Sequence, residues 1–171
     1  MRAPAVKVSD SRQARYAELA REIDSVVAGE TNLVARMASV TAILSDSFEK
    51  FFWTGFYLVD PAKGDQLVVG PYQGTLGCLR IDFGRGVCGV AAAERKTVIV
   101  ADVDAFPGHI ACDSRSKSEI VVPVFDRDGA LIAVLDVDAT EPDWRLLAHL
   151  PNPYPFDPAH PDDTSFADFF I

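Results

Sequence analysis

Cysteine is scarce in this sequence, with three residues in 171 and none at Cys-x-x-Cys spacing. That scarcity argues against a structural zinc site. It also argues against a disulfide-stapled secreted scaffold, which would be smaller and richer in cysteine. Long apolar runs are missing, and no stretch approaches the roughly 18 residues of a membrane span. Basic clusters are missing too. Lys and Arg are dispersed through a chain of net charge −9, so neither nucleic acid nor an anionic membrane is an expected partner. The first residues, Met-Arg-Ala-Pro-Ala-Val-Lys, lack the apolar core of a secretory signal. The cytoplasm, where thiols stay reduced, is the expected compartment. What is present is a 49% hydrophobic composition, enough for one domain with its own core.

Residues 1–8 read as a flexible leader, 9–140 as one domain, and 141–171 as an irregular tail. Pro142, Pro151, Pro153, Pro155, Pro158 and Pro161 exclude a long helix from that tail. Ala14, Ala17, Leu19, Ala20, Ile23, Val26 and Val27 fall at helical spacing behind a candidate N-cap, Asp10, and Gly29 stops the run. A second helix is predicted from Thr31 or Asn32 to about Phe48, with Leu33, Val34, Met37, Val40, Ile43 and Leu44 as its stripe. Strands are predicted at 51–59, 66–70, 75–81, 97–100, 120–125 and 131–137. Gly84-Arg-Gly-Val-Cys-Gly89 reads as a turn opening a short helix, and Asp126-Arg-Asp-Gly129 as a hairpin turn. Two helices followed by a mostly antiparallel sheet make an α+β layer arrangement.

Each cysteine admits an inert and a chemical reading. Cys112 lies in a long polar loop, 102–116, among Asp102, Asp104, His109, Asp113, Ser114 and Arg115, with Glu119 just beyond. Loops of that length inside a domain are more often functional than spacers. His109 and Arg115 would lower the thiol pKa, and the carboxylates would raise it. Cys88 follows two glycines at a helix start, where free N–H groups favour a thiolate, or it simply packs beneath a tight turn. Cys78 follows Gly74 and Gly77, and either swings to meet another thiol or does nothing.

Asp136 and Asp138 are two apart in an apolar strand, which puts both carboxylates on one face. They either sit exposed at the strand end or form a cluster that binds a ligand ammonium or holds a proton, with Glu119 joining them. Burying either without a partner is costly. Trp53 and Tyr57 share a face of the first strand by period two, together with Phe51 and Gly55. That stripe is either core or an aromatic wall for a small amphiphilic ligand.

Taken in order, six motifs resemble the free methionine-(R)-sulfoxide reductases, which are small stand-alone GAF domains. The motifs are Trp53-Thr-Gly-Phe-Tyr57, Gly70-Pro-Tyr-Gln-Gly74, Gly84-Arg-Gly-Val-Cys-Gly89, Gly108-His-Ile-Ala-Cys112-Asp, Ser118-Glu-Ile120 and Leu135-Asp-Val-Asp138. The resemblance covers roughly residues 20–140. It implies a GAF fold, a central antiparallel sheet of about six strands flanked by helices. It implies that Cys112 attacks the sulfoxide sulfur of free methionine-(R)-sulfoxide and becomes a sulfenic acid. Cys78 then condenses with it to a disulfide that thioredoxin reduces. Cys88, the family's third cysteine, takes an auxiliary catalytic place. Glu119, Asp136 and Asp138 contact the substrate amino group or assist protonation of the sulfoxide oxygen. Trp53 and Tyr57 line the methyl-sulfoxide end.

No cofactor and no metal are implied, and the resemblance leaves room for a homodimer. Two other readings fit a GAF domain: a non-catalytic sensor of a small ligand, and a redox switch. A sensor needs neither a nucleophile nor a resolving thiol, and a switch does not need Asp136 and Asp138. The proline-broken tail departs from the amphipathic helix with which the family usually closes.

Overall fold

Helix α1, Val8–Val27, buries Tyr16, Leu19, Ile23 and Val27 along one stripe. The computed structural model describes residues 8–110 and 112–142. The expected leader, apart from Val8, and the tail from residue 143 onward lie outside the described residues. The helix starts before Asp10, so that residue lies inside it instead of capping it. Ala14, Ala17 and Val26 of the predicted stripe face solvent. Tyr16 takes the buried position they leave, its ring 5.1 Å from that of Phe48. Helix α2, Leu33–Ser47, is capped by Asn32, whose side chain accepts the Ala35 N–H at 3.0 Å. Met37, Val40 and Leu44 are buried on it, whereas Val34 points outward.

Six strands follow: β1 Phe51–Val59, β2 Gln66–Gln73, β3 Arg80–Asp82, β4 Val98–Val100, β5 Ser118–Phe125 and β6 Leu131–Ala139. They form one sheet in the order β3-β2-β1-β6-β5-β4, with every pair antiparallel. Helix α3, Gly86–Glu94, joins β3 to β4. The expected α+β arrangement with six antiparallel strands is the one observed. Most of the strand predicted at 75–81 is not a strand, and only its end belongs to β3. The Thr75 carbonyl is occupied by the Trp53 indole N–H at 2.9 Å, and Gly74 has φ +124°. A side chain therefore takes a backbone acceptor that a ladder would need. In the opposite sense, β5 and β6 each run two residues longer than predicted. Glu119 and Asp138 therefore lie within strands, as Asp136 was expected to.

A register shift between β1 and β6 sorts the two faces. Phe51 opposes Ala139, yet Trp53 opposes Asp138, which leaves Phe52 as the extra residue of a bulge. The bulge overturns simple alternation. Phe51 joins the core beneath α1 and α2 with Met37, Phe56, Leu135 and Val137. Trp53 and Tyr57 join the opposite core with Leu67, Val87, Val121 and Val134. Helix α3 covers that second face. It packs closely on β3 because a Cβ on Gly89 would meet the Asp82 carbonyl oxygen at 2.3 Å.

Candidate active site

The three central strands carry the floor of a cavity. Register sets Trp53 and Glu119 on either side of Asp138, and Gly55 and Val121 on either side of Asp136. All of these side chains face α3. The first turn of α3 adds Cys88, and the loop between β4 and β5 adds His109, Cys112 and Ser116. The segment before β3 adds Leu76 and Gly77. Together they line one partly enclosed hollow, mainly apolar with a few convergent polar groups, as small-molecule sites are. Every candidate site residue read from the sequence lines this cavity except Cys78, which reaches it through its bond to Cys112.

Cys78 and Cys112 are joined as a disulfide, with Cα atoms 5.7 Å apart, inside the span a bridge requires. Neither lies on a strand. Their two loops are also tied by the Thr75 hydroxyl, which donates to Asp113 at 2.8 Å. Arg115 does not reach the thiols. Its guanidinium donates twice to the Asp113 carboxylate, at 3.0 and 2.7 Å, and lies over the Phe52 ring. Cys88 is free and buried, its Sγ 4.0 Å from Glu119 Oε1. Burial first, and then the acids Asp136, Glu119 and Asp138, push its thiol well above the ordinary range. This helix start therefore does not make a thiolate, because desolvation and negative neighbours outweigh the free N–H groups.

The acids form one cluster. Asp136 is buried, and its Oδ1 has no hydrogen-bond partner. Burial, then Asp138 and Glu119, raise its carboxyl well above the carboxylate range. Asp138 accepts a short hydrogen bond from the Ser116 hydroxyl. Its carboxyl is raised to about 7, by burial first and then by Glu119, against the opposing pull of Ser116 and His109. His109 Nε2 lies 3.5 Å from Glu119 Oε2, and that contact raises the imidazole pKa. His109 thus serves the carboxylates, not Cys112 as its sequence position suggested.

The aromatic wall is a stack. The Trp53 ring lies 5.6 Å from Tyr57 and 5.3 Å from Tyr72, centroid to centroid. Gly55 makes room for it: a Cβ there would meet the Trp53 ring at 2.6 Å and Tyr72 Cβ at 2.3 Å. Burial raises the Tyr57 hydroxyl pKa above its ordinary value, so the phenol stays neutral. Sequence reasoning missed Ser116, Ile81, Ile110 and Val87 as lining residues. Apolar residues of that kind carry no local signal of a site. Ser116 had one, as a small polar residue closing the loop that carries Cys112.

A GAF-domain family model matches residues 15–166. A free methionine-R-sulfoxide reductase of Escherichia coli is 45% identical over 73% of this chain and 73% of its own length. A GAF domain-containing protein A of Dictyostelium discoideum is 51% identical over 75% of this chain and 79% of its own. Among solved structures, free methionine-R-sulfoxide reductase from Neisseria meningitidis in complex with its substrate superposes with a TM-score of 0.73 at 50% identity. That match covers 88% of this chain and 91% of the other.

Proposed function

The chain belongs to the GAF-domain family and, within it, to the free methionine-R-sulfoxide reductases, and from that premise we propose that it reduces free methionine-R-sulfoxide to methionine by thiol chemistry. The observation that carries this reading is a Cys78–Cys112 disulfide beside a cavity floored by Glu119, Asp136 and Asp138.

In the reduced enzyme Cys112 attacks the sulfoxide sulfur. The S–O bond breaks, oxygen passes to Cys112 as a sulfenic acid, and methionine leaves. The substrate sulfur gains two electrons and Cys112 loses them. The Cys78 thiol then attacks the sulfenic sulfur, water departs, and the disulfide forms. Thioredoxin, a dithiol, returns it to two thiols. Such recycling calls for a reducing compartment, the cytoplasm.

Asp138, with its carboxyl held near 7, is matched to give a proton to the departing oxygen at neutral pH. Glu119 and Asp136 take the substrate ammonium, and the unpartnered Asp136 Oδ1 supports that role. A peptide-bound methionine has no such ammonium, so free methionine sulfoxide is preferred. Trp53 and Tyr57 enclose the methyl-sulfoxide end, and buried Cys88 is auxiliary. The test is turnover of the two epimers of free L-methionine sulfoxide with dithiothreitol or thioredoxin as reductant. The R epimer is consumed and the S epimer is left. No turnover, or equal turnover of both, overturns the assignment.

A further inference from the structure

The cavity floor also holds a donor set that the reaction does not use as a set. Cys88 Sγ and carboxylate oxygens of Glu119 and Asp136 lie within 4.8 Å of one another, and all three residues are buried. They come from α3, β5 and β6, so no spacing in the sequence announces them. Asp136 Oδ1 is enclosed without a hydrogen-bond partner and belongs to the residue that faces this space. His109 Nε2 stands 3.5 Å from Glu119 Oε2. The imidazole lies beside this donor set and is not one of its three members.

We propose that Cys88, Glu119 and Asp136 bind a zinc-class divalent cation as its three protein ligands. The donor chemistry selects the ion. A thiolate among the ligands favours zinc or cobalt over magnesium and calcium, which take oxygen ligands. The ion takes the place of the Cys88 proton and offsets the charges of acids that otherwise crowd one another. On the proposed function, it occupies the carboxylates assigned to the substrate ammonium, so zinc acts as a competitive inhibitor.

The test uses the oxidised full chain, in which the Cys78–Cys112 bridge leaves Cys88 as the free thiol. Cobalt(II) alone is the probe. One equivalent binds with a thiolate-to-cobalt charge-transfer band and tetrahedral d–d absorption, and zinc displaces it. Cys88→Ala and Cys88→Ser each abolish the charge-transfer band. Asp136→Asn weakens binding at least tenfold with an unchanged far-ultraviolet spectrum. Absence of the band in the oxidised wild type, or its persistence in the Cys88 variants, overturns the proposal. The readout needs no methionine sulfoxide. A protein that binds cobalt this way but reduces nothing refutes the proposed function and leaves the metal site standing.

Discussion

Asp138→Asn separates what the acid cluster costs the fold from what it does for the chemistry. The folded protein holds the Asp138 carboxyl near 7, against an ordinary 3.8. Between those values the unfolded chain releases the proton while the folded chain keeps it. Stability therefore falls as pH rises: the contribution is whole below 3.8, declines through the window, and is gone above 7. The ceiling of that loss is about 4 kcal/mol. Asp138 is only part-buried and shares protons with its neighbours, which brings the expected loss to about 2 kcal/mol. Asparagine keeps the shape and still accepts from the Ser116 hydroxyl, but it does not titrate. Urea unfolding of the oxidised protein, followed by circular dichroism, measures the difference. At about pH 4 the two proteins are close to equal, and near pH 8 the variant is more stable by about 2 kcal/mol. A gap that does not change with pH would refute the account of the cluster, whatever the activity. Loss of reductase activity in the more stable variant is the expected companion result.

Other expectations follow from the thiols and the aromatic stack. Cys112→Ser abolishes methionine formation, while Cys78→Ser releases about one methionine per enzyme with thioredoxin and then stops, read by quantifying methionine in a single-turnover experiment. Retained steady-state turnover in Cys112→Ser would show that the nucleophile is misassigned. Gly55→Ala pushes a methyl group into the Trp53 ring and the Tyr72 Cβ. It lowers stability by about 1–3 kcal/mol and raises KM more than it lowers kcat, as thermal unfolding and steady-state kinetics would report. An unchanged melting point would mean that the stack has slack the distances do not suggest.

Much of this was legible in the residues, and the parts that were not have physical causes. β1 was predicted at its observed bounds because an aromatic run between turn residues has few alternatives. The pairing of acids on one face followed from period two alone. Phe51 was misassigned to the face of Trp53 because a bulge adds one residue without marking the sequence. The strand expected at 75–81 failed because a tertiary hydrogen bond from Trp53 competes with strand pairing there. His109 and Arg115 were read as partners of Cys112 from proximity in the chain. Tertiary packing gave them to Glu119 and Asp113. The cluster of Cys88 with Glu119 and Asp136 depends on how α3 lies across β5 and β6, which no local pattern encodes.

The Cys78–Cys112 bridge spans 34 residues and encloses β3, α3 and β4 whole. On the chain-entropy account, closing a loop of that length restricts the unfolded state by about 4 kcal/mol. Under the proposed cycle the enzyme thus alternates between a stapled and an unstapled fold, and turnover doubles as a periodic change in conformational stability. The coupling runs in both directions. Whatever the bridge adds to folding, folding adds to the bridge, so the folded enzyme favours closure and resists reduction more than a loose chain would. Amide exchange in the segment between the two cysteines becomes a meter of the redox cycle: slow while the bridge is closed, faster once a reductant has opened it.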